Sequence, residues 1–131
     1  RDLGIRERID LVLSPTFDDL PRILGNADIA LNPRTDCDGI PVKLLNYMAA
    51  ARPAVSFAGS APGVTHGLNG WLAENGNVEE FAAGVVALLQ DPGRALTIGR
   101  TARDYVERNA SWPNAALQCE RIFESLRSRV T

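Results

Sequence analysis

Short apolar runs alternate with longer stretches of helical spacing along this chain. Ile9-Asp10-Leu11-Val12-Leu13 is strand-like and is stopped by Ser14-Pro15. Phe17 to Leu24 predicts a short helix, with Thr16 or Asp18 as cap and Gly25-Asn26 as its end. Asp28 to Leu31 predicts a second strand, closed by Pro33 and a polar loop. Ala54 to Phe57 and Trp71-Leu72-Ala73 predict two more. Between the second and third strands lies the run Asp38 to Pro53. It predicts a helix that starts near Gly39 or Ile40, tolerates Pro41 in its first turn and ends by Arg52, before Pro53.

Three further helices follow. The first covers Val78 to Leu89, with Asn77 or Gly76 as cap, Glu79 and Glu80 in the positive first turn, and a core face of Phe81, Val85, Leu88 and Leu89. The second covers Arg94 to Arg108, its Arg100, Arg103 and Arg108 reading as a solvated face. The last covers Pro113 to Arg129, with Leu117, Ile122, Phe123 and Leu126 directed inward. Alternation of short β and α segments predicts an α/β layered domain with a mainly parallel sheet. Ligands of such sheets sit beyond the strand C-termini, which singles out the loops Pro33 to Gly39 and Gly59 to Gly63.

The Asp38 run also carries candidate chemistry. Asp38 and Gly39 stand at the expected helix N-terminus, where free N–H groups and the dipole attract anions. Gly39, Lys43, Asn46 and Ala50 follow i, i+4, i+7, i+11 spacing as a polar stripe, whereas Val42, Leu45 and Ala49 point elsewhere. At about 1.5 Å per residue, Asp38 and Asn46 would lie roughly 12 Å apart along the axis. That spacing suits a nucleotide-sugar lying along the helix: sugar at Asp38, phosphates over the helix start, ribose at Asn46. The competing reading is a surface helix with a scattered Lys and Asn.

Composition narrows the classes. The 131 residues suit one domain, and 45% apolar with 23% charged content is that of an ordinary globular chain. A formal charge of −2 argues against nucleic acid as a partner. The sequence has no apolar run of membrane-span length and no signal-peptide pattern at its start. Cys37 and Cys119 lie far apart, without metal spacing, and read as free thiols of a reducing compartment. The expected location is cytoplasmic, with the inner face of the membrane as the alternative. His66, the only histidine, falls in a loop and reads as an exposed side chain rather than a base.

Asp38, Gly39, Leu44, Leu45, Tyr47, Met48, Ala49, Pro53 and Val55 resemble the motif of the C-terminal domain of group 1 (family 4) glycosyltransferases, which have the GT-B fold. Asp19 to Leu24, Asn26-Ala27-Asp28, Gly67 to Leu72, Leu88 to Pro92 and Ser111-Trp112 fall in order on other parts of the same pattern. The chain departs from it at Asn46 and Asp38, where the family usually has Glu, and at Gly63, near its usual Pro-Glu-Val. Asn46 can still pair with ribose hydroxyls, because an amide both donates and accepts.

The resemblance implies a Rossmann-like, mainly parallel sheet with helices on both faces, and retaining transfer from a nucleotide-sugar donor. Asp38 would be the catalytic contact to the donor sugar. Gly39, Ile40, Lys43, Asn46, Gly59 and Ser60 would bind the donor, Gly59 and Ser60 through backbone groups. Leu13 to Thr16 would lie near the base. No metal ion or other cofactor is implied. Residues 1–131 would be the later part of the donor domain, lacking the N-terminal acceptor domain, and the chain alone would be inactive. The strand at Ile9 to Leu13 would then re-pair or leave an open sheet edge for self-association. A non-catalytic nucleotide-sugar-binding or interaction module, or a nucleotide-sugar epimerase of the same fold, are the alternatives.

Overall fold

The computed structural model describes residues 3–13, 16–39 and 41–130. Three parallel strands stand in the order β1 (Ala30–Asn32), β2 (Ala54–Phe57), β3 (Trp71–Ala73). Ala30 pairs with Ala54, and Val55 with Trp71. The helices are α1 (Leu20–Gly25), α2 (Val42–Ala49), α3 (Val78–Gln90), α4 (Pro92–Asn109) and α5 (Trp112–Val130). The α/β layering and parallel sheet are those expected from the alternation of segments.

Side chains alternate across a strand, so β2 feeds two cores. Ala54 and Leu72 pack with Leu44 and Met48 of α2 and with Ala102, Tyr105 and Val106 of α4. Val55 and Trp71 pack on the other face with Phe81, Val85 and Leu88 of α3 and with Ala95 and Ile98 of α4. Helix α4 therefore serves both faces, its first half one core and its second half the other. Fully burying a side chain such as Leu44 or Ile98 contributes about 1.5–3 kcal/mol. Asn77 caps α3 by accepting from Glu80 N–H at 3.0 Å, and Asp91 caps α4 by accepting from Arg94 N–H at 2.9 Å.

Four expectations are corrected. Ile9 to Leu13 forms no strand; Leu11 and Leu13 are 85% and 83% exposed, and alternation cannot make a strand without a neighbour to pair with. The sheet edges are therefore β1 and β3, not that segment. Helix α2 begins at Val42 rather than near Gly39, because Pro41 is extended at φ −61°, ψ 121° and acts as its N-cap. Finally, Leu117, Ile122, Phe123 and Leu126 of α5 are exposed, as is Leu89 of α3. Periodicity marks an apolar face but supplies no partner for it. On α4, Arg103 and Arg108 pair with Glu107 and Asp104 on its exposed side, and the hydrogen bond that Arg103 Nε donates to the Glu107 carboxylate raises the Arg103 pKa.

Candidate functional site

Parallel strands bring all their C-terminal ends to one edge of the sheet. Three loops leave from it: 33–41 after β1, 58–70 after β2 and 74–77 after β3. Side chains tie them together. Buried Asn32, the last residue of β1, donates from Nδ2 to Ser60 Oγ at 3.1 Å and Ser60 O at 3.3 Å. The Ser60 hydroxyl in turn donates to the Arg34 carbonyl. Gly59 N–H donates to Asn75 Oδ1 at 2.7 Å. A Cβ on Gly59 would stand 2.3 Å from both Asn75 Nδ2 and Thr35 O, so only glycine fits there without a shift.

Asp38 lies in the first loop, exposed. The exposed side chains of Arg34, Asp36, Asp38 and Lys43 form no ion pair among the described residues, which leaves two cations and two carboxylates uncommitted along the first loop and the first turn of α2. Leu44 N–H and Leu45 N–H already bond to Pro41 O, at 3.0 and 3.3 Å. The helix start therefore offers the amides of Val42 and Lys43 to an anion, rather than those of Gly39 and Ile40. Gly39 precedes the helix at φ +82°, and Ile40 lies outside the described residues. Because Asp38 is not helical, the rise per residue does not set its distance from Asn46.

Asn46 is half-buried on α2. With Ala49 and Ala50 it lines an open cavity of about 200 Å³ that is also lined by Phe17, Leu20, Pro21 and Leu24. This corrects the expected stripe, since Ala49 shares the surface of Asn46. Of the segment expected near the base, Leu13 and Thr16 are exposed, while Ser14 and Pro15 lie outside the described residues. The Ser60 hydroxyl is committed inward and the Gly59 amide is taken by Asn75, so these two residues shape the loop. His66 is exposed, its Nδ1 3.1 Å from Leu72 N and 3.0 Å from Leu72 O. Among the described residues no group of three His, Cys, Asp or Glu side chains stands together to hold a metal ion.

Sequence reasoning missed Asn32, Arg34 and Asn75. Asn32 had a readable signal, because it shares strand parity with Ala30 and an inward polar residue demands a partner. Asn75 acts across 16 residues and left none.

The pattern of the family described as "Glycosyl transferases group 1" matches residues 2–91. This chain belongs to that family. Among group 1 glycosyl transferases and related proteins, it is similar to the amylovoran biosynthesis glycosyltransferase AmsK of Erwinia amylovora. The two are 31% identical over 132 residues, covering 95% of this chain and 32% of the relative. It is 28% identical over 123 residues to a GDP-mannose-dependent alpha-(1-6)-phosphatidylinositol monomannoside mannosyltransferase of Mycobacterium tuberculosis, covering 88% of this chain and 32% of the relative. The chain thus spans about a third of the length of these curated relatives. Its fold is similar to that of Anabaena HepE solved in complex with UDP and glucose, with a TM-score of 0.75 and 23% identity over 96% of this chain and 34% of that one. No described helix is long and apolar enough to cross a membrane.

Proposed function

We propose that this group 1 glycosyl transferase chain supplies part of the donor site for retaining transfer from a nucleotide-sugar. The observation that carries the reading is the convergence of three tied loops at the strand C-termini, with unpaired Asp38 and Lys43 flanking the free amides of α2. The diphosphate lies over the Val42 and Lys43 amides, with Lys43 and Arg34 adding positive charge. The sugar meets Asp38. The ribose reaches Asn46 at the mouth of the cavity between α1 and α2, which directs the base toward Phe17 and Leu20.

Charge that develops on the departing diphosphate is met by oriented N–H groups and cations, with no metal ion called for. GDP-mannose in the name of a relative, and UDP with glucose bound to a structural neighbour, support this donor class. The chain spans about a third of the curated relatives, and the acceptor site is assigned to the part of them that it does not cover. The chain alone therefore does not transfer sugar.

Titration with UDP-, GDP- and ADP-sugars tests the reading: saturable binding of one of them is expected, and binding of none overturns it. A second reading, a donor-binding module without catalysis, is favoured by one observation, the uncharged Asn46 where the family usually has Glu. In a protein that includes the acceptor part, a large gain in transfer from Asn46→Glu supports that second reading. A loss marks Asn46 as a working residue.

A further inference from the structure

Polar side chains buried in the described residues include Asn32, Ser56, Ser60 and Asn69. They do different things. Asn69 closes its own loop, accepting from Thr65 N–H at 2.6 Å and donating to Gly63 O at 3.1 Å. Asn32 and Ser60, in contrast, join loops 28 residues apart. The Ser60 hydroxyl has one proton and two carbonyls in reach, Arg34 O and Phe57 O, the latter at 3.3 Å. Arg34 O is the nearer and takes it. Asn32 Nδ2 then donates into the lone pair of the same oxygen, and a donor at that position turns the hydroxyl proton toward Arg34. Each bond in such a chain polarises the next, and at 0% exposure for Ser60 no water competes.

We propose that Asn32 is a positioning residue of the cleft: through the Ser60 hydroxyl it holds the Arg34 carbonyl, and with it the loop that presents Asp38. The inference deepens the donor-site reading and rests on it for its consequence in binding. Among the described residues 33–39, no other hydrogen bond ties the loop to the rest of the domain. Asp38 and the loop's charged side chains are exposed, and Pro33 carries no N–H. The tie also accounts for a buried amide at the end of a short edge strand, a place where an apolar residue would cost less to bury.

The test compares Asn32→Ala and Ser60→Ala with Asn69→Ala, which removes an equally buried asparagine that does not touch the 33–41 loop. Backbone 15N order parameters at residues 35–39 are measured relative to those of β2, alongside titration with the UDP-, GDP- and ADP-sugar panel. Asn32→Ala and Ser60→Ala are expected to lower the order parameters at 35–39 to below about 0.6 while β2 stays at about 0.85, and to weaken donor binding about tenfold. Asn69→Ala is expected to do neither. Should Asn32→Ala fail to fold, Ser60→Ala, which deletes one oxygen, carries the comparison alone. Unchanged order parameters at 35–39, or the same change in Asn69→Ala, overturn the proposal. Wild-type protein that binds no nucleotide-sugar overturns the donor-site reading instead, and the order parameters still decide whether Asn32 positions the loop.

Discussion

The two ends of the sheet are built differently. At the strand C-termini, three loops are held by side-chain bonds through Asn32, Ser60 and Asn75, and Arg34, Asp36, Asp38 and Lys43 are exposed and unpaired along the first loop and the first turn of α2. At the opposite end lies a larger cavity of about 400 Å³. It is lined mainly by apolar residues, among them Pro53, Leu88, Leu89, Ala95 and Leu96, with Asp28 and Arg52 beside them. Arg52 gives one hydrogen bond inward, to Ala27 O at 2.9 Å, and its Nε is buried from solvent without a partner. A ligand could not reach that Nε without moving the side chain. Volume therefore points to one end and chemistry to the other. Polar groups that are free and backed by a fixed frame locate the site better than the size of a hole does.

Substitutions at the two ends sharpen this contrast. The largest effect is expected at the apolar end, from Gly99→Ala. Its Cβ would stand 2.1 Å from Ala51 O, a backbone atom that cannot swing away. Overpacking of this kind costs about 1–3 kcal/mol, seen as a lower midpoint in urea, with donor affinity of the folded protein unchanged. Asp38→Ala reverses the pattern: affinity for the bound nucleotide-sugar falls about tenfold, roughly 1.4 kcal/mol by calorimetric titration, at unchanged thermal midpoint. Ala51→Gly should raise stability by about 1 kcal/mol, because Ala51 sits at φ +54° where a Cβ is strained. Leu96→Gln, at the lip of the larger cavity and 51% exposed, should change stability by no more than about 0.5 kcal/mol and leave affinity alone. A loss of affinity in Leu96→Gln with none in Asp38→Ala would exchange the roles of the two ends.

Much of the frame was legible because its signals are local. Strands β2 and β3 fall on the expected residues, and the Asn77 cap sets the start of α3. The start of α2 was also within reach: the rule that ends the helix before Pro53 equally keeps Ile40, before Pro41, out of it. Ile9 to Leu13 and the apolar face of α5 were misread for a shared reason, since pattern announces a need for a partner but cannot provide one. Within the candidate site, the charged and glycine-bearing run was readable from spacing and motif. Asn75 was not, because its contribution is a single long-range bond to Gly59. The frame of a site made by such bonds appears only once the chain is folded.

The central claim is that an activated sugar is held at the strand C-termini. It is tested most directly by recording backbone amide shifts of the chain while UDP-, GDP- and ADP-sugars are added. The account predicts perturbation clustered at residues 34–39, 42–46 and 58–60. Perturbation confined to residues 28–29, 51–53 and 88–96 would contradict it and move the ligand to the other end of the sheet.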